Sequence, residues 1–255
     1  TPTDSIIKVQ NETEIPIYEE YGHIDKFIKT PNTNLRPCDY TGDEIIMLGK
    51  GVIIGDSFVQ GGYDYKIDDS TTGYFSDSIL NFPSNLSRMT GLDILNKGDG
   101  GQTTTTWWER HKNDDLSGHK FGIIALGIND TYKQTDGWNN SSDEHIRKIV
   151  NKLKTENGDN IKIFISTIPN EWSYNDDFNV TNERIRKIAK ELNLHLVDLE
   201  LYNNFSYELD ILGGHPTSYG YYNIAKHWKA YISYIIASNN SKFTHLQFIG
   251  TDYSY

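Results

Sequence analysis

The sequence is poor in cysteine and in long apolar runs. Cys38 is the single cysteine among 255 residues, so no disulfide can form within the chain and a disulfide-stapled fold is excluded. No histidine motif follows Cys38, and we interpret it as structural rather than as a thiol nucleophile. No segment reaches about 18 consecutive apolar residues, so we expect no transmembrane helix and no membrane insertion.

Basic residues are also scarce. The 24 Lys and Arg are outnumbered by 35 Asp and Glu, which gives a formal net charge of -11. Phosphate binding requires a positive surface, so a nucleic acid partner is not expected. The histidines, such as His111, His119 and His195, are scattered and lack i, i+4 pairing, so we expect no metal site.

The chain has enough apolar residues to fold. Hydrophobic residues make up 36% and aromatic residues 13% of the sequence, which excludes global disorder. Residues 1–44 are predicted to form an N-terminal extension or small β element, and residues 45–240 one domain. The tail 241–255 is predicted to add a strand that pairs with the extension. The chain begins without Met, as we expect of a processed product or of a domain cut from something longer.

Apolar runs alternate with helical patterns from residue 45 onward. Five runs predict strands, at 51–55, 92–96, 121–127, 161–167 and 194–199. Helices are predicted near 72–90, from about Ser141 with Glu144 in capping-box spacing, around 185–192, and over 224–236. The strand segments are apolar throughout, and this pattern predicts a parallel sheet covered by helices on both faces.

Four chemically active residue types stand next to these elements, three of them after strands. Ser57 follows the first strand, Gly101 lies in a glycine-rich turn after the second, Asn129 follows the third, and His215 precedes the last helix. Ligands of such sheets bind at the carboxyl ends of the strands. Acyl transfer needs a hydroxyl nucleophile, a base and donors for the oxyanion. Ser57 fits the first role, His215 the second, and the N–H groups of Ser57 and Gly101 with the Asn129 amide fit the third.

Four sequence blocks carry a resemblance to a known family. They are Gly55-Asp56-Ser57, Gly101 within NKGDGGQTT, Gly127-Ile128-Asn129-Asp130, and His215-Pro216. In order and position they resemble the blocks of the SGNH, or GDSL-type, hydrolases over roughly residues 45–237. The resemblance implies a flavodoxin-like three-layer α/β/α sandwich and ester hydrolysis without a metal or cofactor. It also implies Ser57 as nucleophile, His215 as base, and Gly101 and Asn129 as oxyanion donors.

One position departs from the family pattern. The family usually carries Asp three residues before the histidine, and here that position is Leu212. Asp210 lies five residues before His215 and Glu208 seven before. We prefer Asp210 as the partner of His215 Nδ1. The alternative is a backbone carbonyl near Leu212, which leaves a Ser-His dyad.

Several residues near the blocks are candidates for binding or support. Asp56 is expected to orient the nucleophile turn through backbone hydrogen bonds and to border the substrate. Trp108 and Trp172 are expected to bind the apolar face of a sugar at the cleft rim, and ordinary packing is the alternative. Asp130 is expected to brace its loop. The acidic segment 64–70 is predicted to be a solvated loop at the rim.

The expected function is removal of a short acyl group, acetyl foremost, from a carbohydrate. The rivals are a lipase or thioesterase of the same family, and a glycan-binding tail or adhesin module that has lost activity. The missing Asp at position 212 is the best support for the binding module. The start without Met, the N-terminal extension and the aromatic C-terminal tail also resemble a domain of a phage tail or receptor-binding protein. That analogy predicts an extracellular or virion location and membership of a larger, oligomeric assembly.

Overall fold

A computed structural model describes residues 49–68, 70–76, 78–133, 137–169, 176–202 and 209–238. The N-terminal element and the C-terminal strand predicted above lie outside the described residues, as does Trp172. Contacts divide the chain into two units, one of Leu48–His227 and one that combines 1–47 with Trp228–Tyr255. Every site residue discussed below belongs to the first unit.

The described chain contains nine strands and eight helices. In chain order they are β1 (Lys50–Gly55), α1 (Ser57–Gln60), β2 (Tyr63–Lys66), β3 (Thr72–Phe75), α2 (Phe82–Thr90), β4 (Asp93–Gly98), α3 (Thr104–His111), β5 (Phe121–Ala125), α4 (Ile128–Lys133), α5 (Asn140–Asn157), β6 (Lys162–Ser166), α6 (Asp176–Glu191), β7 (His195–Val197), α7 (Leu199–Tyr202), β8 (Ile211–Leu212), β9 (His215–Pro216) and α8 (Ser218–Ser238). Among these helices, none is both long and apolar enough to cross a membrane.

A five-stranded parallel sheet forms the centre, in the order β4-β1-β5-β6-β7. Numbered along the chain, these strands run 2-1-3-4-5, which is the flavodoxin-like order. The five predicted strands and the flavodoxin-like three-layer fold are confirmed. The strand order reverses beside β1, so the segments after β1 and β5 meet at the edge where such folds bind ligands.

The strands are continuous apolar runs because both faces of the sheet are buried. Val52 and Ile54 of β1 join a core cluster that includes Ile146 and Ile149 of α5. Ile53 points to the opposite face, because side chains alternate along a strand, and it is also fully buried. Helices therefore cover both faces of the sheet.

Two predicted helices begin elsewhere. The helix predicted near 72–90 begins at Phe82, where the Asn81 side chain accepts a hydrogen bond from the Ser84 N–H. Residues 72–75 instead form β3, which pairs antiparallel with β2. The segment 64–70, predicted as a solvated loop, thus begins as a strand. The next helix, predicted from about Ser141, begins at Asn140 with Asn139 as its cap.

Candidate active site

Ser57 follows strand β1 after one residue, Asp56, and is the first residue of the short helix α1. Asp56 caps this helix, since its Oδ1 accepts a hydrogen bond from the Phe58 N–H at 3.0 Å. Asp56 is 2% exposed, and burial raises the pKa of its carboxyl to about 7. The expectation that Asp56 orients the nucleophile turn is confirmed, while its contact with substrate stays a prediction.

Side chains from other elements hold the backbone of α1. Asn96 Nδ2 donates to the Val59 carbonyl at 2.9 Å. The Tyr221 hydroxyl donates to the Gly62 carbonyl at 2.6 Å and lies 3.3 Å from the Ser57 carbonyl. Burial raises the pKa of Tyr221 well above its usual value, so its hydroxyl remains a donor. A helix of a single turn is thereby fixed through tertiary hydrogen bonds.

His215 reaches Ser57 from the small β8–β9 hairpin. Its Nε2 lies 3.0 Å from Ser57 Oγ, within hydrogen-bonding distance. The sequence separates these two residues by 158 positions. The predicted pairing of a serine hydroxyl with this histidine is present in the structure.

The second ring nitrogen of His215 contacts a carboxylate that sequence reasoning missed. His215 Nδ1 lies 2.9 Å from Asp64 Oδ2, and Asp64 belongs to β2. The Gly214 N–H donates to the same oxygen at 2.6 Å. Gly213 has φ +60°, and a Cβ at that position would lie 2.7 Å from Asp64 Oδ2. The glycine pair leaves room for the carboxylate and adds a donor to it.

The predicted contact between Asp210 and His215 is therefore wrong. Leu212 pairs with His215 across the hairpin, and the Thr217 N–H donates to the Asp210 carbonyl at 2.7 Å. Asp210 thus lies two residues farther along the strand than Leu212, a displacement of about 7 Å. Its carboxylate is buried and accepts a hydrogen bond from Asn223 Nδ2 at 2.7 Å. Because Asp64 occupies Nδ1, the alternative with a backbone carbonyl is also not found.

Little in the sequence marks Asp64. It stands seven residues after Ser57, in an acidic segment predicted to be solvated, and 151 positions before His215. No periodicity connects residues so far apart. The available signal was indirect: position 212 lacks an acid, and two consecutive glycines precede the histidine.

Gly101 lies on the β4–α3 loop, and Asn129 lies in the first turn of α4. The Asn129 amide donates to the Gln102 carbonyl at 3.2 Å, which joins the β4–α3 loop to the start of α4. A Cβ built on Gly100 would lie 3.8 Å from Ser57 Cβ, so this loop passes close to the serine. Gly101 has φ +74°, a conformation that favours glycine. The oxyanion role of Gly101 and Asn129 stays a prediction.

Asp130 braces these loops from within the protein. Its carboxylate accepts hydrogen bonds from the Thr104 N–H at 2.9 Å, from Thr104 Oγ1 at 2.6 Å and from Ser142 Oγ at 2.7 Å. The side chain is fully buried, and burial raises its pKa. The bracing role predicted for Asp130 is confirmed, because these bonds tie the loop after β5 to α3 and α5.

Of the two tryptophans predicted to bind a sugar, Trp108 and Trp172, the structure describes Trp108. Trp107 is fully buried and donates through Nε1 to the Lys97 carbonyl at 2.9 Å. Trp108 is partly buried and packs against the core cluster. It follows Thr104, which bonds the buried Asp130, by one helical turn. This packing agrees with the alternative, and contact of Trp108 with a substrate stays a prediction. Two aromatic rings lie next to His215, those of Tyr74 and Phe58, with centroids 5.1 and 6.0 Å from the imidazole.

The arrangement of Ser57, His215 and Asp64 has a defined chemical capability. A neutral imidazole that carries its proton on Nδ1 donates to Asp64 and accepts from the Ser57 hydroxyl. The ring can then take the serine proton, and the carboxylate stabilises the resulting imidazolium. Within the described ranges, no group of three or more His, Cys, Asp or Glu side chains is placed to hold a metal ion.

Comparison with known proteins shows which sequence family the chain matches. Residues 53–222 match the GDSL-like lipase/acylhydrolase family, a stretch that contains all of the candidate residues above. A multidomain esterase of Ruminococcus flavefaciens is 26% identical over 198 residues, which cover 74% of this chain. The chain spans only 24% of the length of that relative.

Solved structures agree with the fold. The crystal structure of an acetyl xylan esterase, AlAXEase, is 21% identical with a TM-score of 0.54, and the match covers 71% of this chain and 98% of that one. A family two carbohydrate esterase from Clostridium thermocellum, in complex with cellohexaose, is 13% identical with a TM-score of 0.60 over 72% and 63% of the two chains. At these identities the likeness concerns the fold alone. Since the family match covers about two thirds of the sequence, the chain belongs to the GDSL-like lipase/acylhydrolase family.

Proposed function

We propose that this protein is a serine esterase that removes short acyl groups, acetyl foremost, from a carbohydrate. The observation that carries the proposal is the hydrogen-bonded chain from Ser57 Oγ through His215 to Asp64, with spacings of 3.0 and 2.9 Å. Family membership and the esterase named among the relatives support ester hydrolysis. The phage-tail origin expected from the sequence stays a prediction.

The first half of the reaction forms an acyl-enzyme. Ser57 Oγ attacks the ester carbonyl carbon while His215 Nε2 takes the hydroxyl proton. Negative charge develops on the carbonyl oxygen, and the Ser57 N–H, the Gly101 N–H and the Asn129 amide are the donors we assign to it. The carbon–oxygen bond to the alcohol then breaks, and the imidazolium returns its proton to the departing alcohol oxygen. Asp64 stabilises the imidazolium throughout.

The second half returns the free enzyme. Water attacks the acyl carbon as His215 Nε2 takes its proton, and the same donors hold the second oxyanion. Collapse releases the carboxylic acid, and the proton on Nε2 returns to Ser57 Oγ. Asn129 Nδ2 uses one hydrogen on the Gln102 carbonyl, which leaves its second hydrogen for the oxyanion.

The carbohydrate part of the proposal rests on the named relatives and on composition. Solved structures of the same fold include an acetyl xylan esterase and a carbohydrate esterase in complex with cellohexaose. The sequence is polar, with a mean hydropathy of -0.59. The non-catalytic binding module loses its main support, because Asp64 provides the carboxylate that position 212 lacks.

One observation favours a lipase of the same family instead. Apolar side chains are exposed on the β2–β3 hairpin and on the loop after it: Ile67 at 61%, Phe75 at 57% and Ile79 at 77%. A surface of this kind suits an acyl chain as well as a sugar ring. Acyl-chain length therefore separates the two functions.

The test compares p-nitrophenyl acetate with p-nitrophenyl octanoate, followed by a panel of acetylated glycans. We expect kcat/KM to be higher for the acetate and to be lost in Ser57→Ala, with circular dichroism showing that the variant is folded. A preference for octanoate would indicate the lipase. Glycan binding without turnover of any ester would indicate the binding module.

A further inference from the structure

The β2–β3 hairpin carries an exposed aromatic ring next to the partner of His215. Asp64 and Tyr74 are directly paired across the two strands, so their side chains lie on the same face of the hairpin. The Tyr74 ring centroid lies 5.1 Å from that of His215, with the ring planes at 50°. Tyr74 is nevertheless 52% exposed. The ring borders the histidine, and about half of the side chain is open to solvent.

The direction of proton transfer defines which part of a substrate meets this ring. His215 Nε2 passes the proton of Ser57 to the alcohol oxygen of the ester, so the alcohol moiety has to lie within hydrogen-bonding reach of Nε2. The carbonyl oxygen points instead to the donors on the loops of Gly101 and Asn129. The Tyr74 ring lies beside the same imidazole, so it is a candidate surface for the alcohol moiety.

We propose that Tyr74 is the platform on which the alcohol moiety of the ester, a pyranose ring, stacks before the acyl group is transferred. This inference rests on the proposed function and adds a sugar subsite to it. An exposed tyrosine offers a flat apolar face with a polar rim. A pyranose offers the complement, a face of C–H groups edged by hydroxyls. Because Asp64 and Tyr74 pair across the strands, the β2–β3 hairpin carries both the partner of His215 and the proposed sugar platform.

The neighbouring residue provides a matched control. Phe75 is 57% exposed, belongs to the same strand and pairs with Tyr63 on the opposite face of the hairpin. Truncation of Phe75 removes a similar exposed ring from the same element without touching the His215 side. A general loss of hairpin stability would affect Phe75→Ala and Tyr74→Ala alike.

The experiment holds the acyl group constant and changes the alcohol. kcat and KM are measured with ethyl acetate and with a mono-acetylated methyl pyranoside, for wild type, Tyr74→Ala, Tyr74→Phe and Phe75→Ala. We expect Tyr74→Ala to lower the ratio of kcat/KM for the sugar ester to that for ethyl acetate about tenfold, since stacking on an exposed ring contributes about that factor. Tyr74→Phe, which keeps the ring face, should retain the ratio within about threefold by the same reasoning.

Three outcomes would overturn the platform and leave the esterase standing. In the first, Tyr74→Ala lowers kcat/KM for both substrates by the same factor, as expected if the role of Tyr74 were merely structural. In the second, Tyr74→Ala leaves kcat/KM unchanged for both substrates. In the third, Phe75→Ala lowers the ratio as much as Tyr74→Ala. If wild type hydrolyses neither ester, the proposed function itself fails, and that result is distinguishable from the other three.

Discussion

At the scale of single residues, the two nitrogens of His215 have different partners. Nε2 faces the Ser57 hydroxyl, and Nδ1 faces Asp64. Asp64 Oδ2 also accepts the Gly214 N–H, so two donors from one short turn fix this oxygen. A carboxylate held in this way selects the tautomer in which Nδ1 carries the proton. The Asp64 carboxylate is therefore the main determinant of the protonation state in which His215 acts as the base.

Asp64→Asn should reduce kcat by about 10⁴-fold, because an amide presents its own hydrogen to Nδ1 and favours the wrong tautomer. Steady-state kinetics on p-nitrophenyl acetate measure the effect. Asp210→Asn is the matched control, since Asp210 bonds Asn223 and not the histidine. Its kcat should stay within a few-fold of wild type. The reverse ranking of the two variants would refute the assignment.

Gly62 is a second position where one residue controls the geometry. A Cβ on Gly62 would lie 2.5 Å from His215 Cδ2, 2.9 Å from its Nε2 and 3.1 Å from Ser57 Cβ. Gly62→Ala therefore forces the imidazole or the serine to move, and such misplacement typically costs about 10²-fold in rate. We expect that loss in kcat with a melting temperature close to wild type. Unchanged turnover would show that the site tolerates the added methyl group.

At the scale of elements, the one-turn helix α1 depends on its neighbours. Its four residues cannot be stable alone, because helix formation requires a costly nucleus. Tyr221 of α8 and Asn96 of β4 supply hydrogen bonds to its carbonyls and to the turn that follows it. The position of Ser57 therefore depends on two other elements, β4 and α8, that are distant in sequence.

Tyr221→Phe tests this dependence. The variant leaves the Gly62 carbonyl without the hydroxyl that it accepts at 2.6 Å, and an unsatisfied buried acceptor costs about 1 to 3 kcal/mol. We expect urea denaturation to show a loss of that size in the free energy of unfolding. kcat should also fall, because Gly62 borders both Ser57 and His215. A variant as stable and as active as wild type would contradict this role of the hydroxyl.

The elements also show what the sequence can and cannot predict. The five central strands were predictable because burial on both faces makes them continuous apolar runs. Ser57, Gly101, Asn129 and His215 were predictable as candidates because each stands after a recognisable strand or before a recognisable helix. The β2–β3 hairpin was not, since its polar residues resemble a loop and Asp64 is fixed by the distant Gly213–Gly214 turn. The packing of Trp108 against the core could not be predicted, because sequence spacing does not reveal which face of α3 points inward.

At the scale of the whole molecule, stability should depend on pH through the buried Asp56. Its pKa rises from 3.8 to about 7 in the folded protein, mainly through burial. The folded state therefore keeps a proton that the unfolded state releases between about pH 4 and about pH 7. The free energy of unfolding should fall over that range as pH increases, on the order of 4 kcal/mol for a difference of this size.

Asp56→Asn should flatten this part of the profile, because an amide has no proton to release. Urea denaturation from pH 4 to 8 is the measurement. The exposed Asp68 is a control of opposite sign, since hydrogen bonds from Ser70 lower its pKa. Because the folded-state pKa of Asp68 is lowered, its carboxylate stabilises the fold above its ordinary pKa, and this contribution is lost as the pH falls. A variant without Asp68 should lose this contribution. An Asp56→Asn profile that parallels wild type would contradict the proton uptake.

The central claim is that Ser57 carries the acyl group during turnover. The most direct measurement is an acid quench during turnover of p-nitrophenyl acetate, followed by peptide mass spectrometry. We predict an acetyl group on the peptide that contains Ser57 in wild type, its accumulation in proportion to the initial burst of nitrophenol, and its loss in Ser57→Ala. Turnover by Ser57→Ala at the wild-type rate, or an acetyl group carried on another residue in step with the burst, would contradict the account.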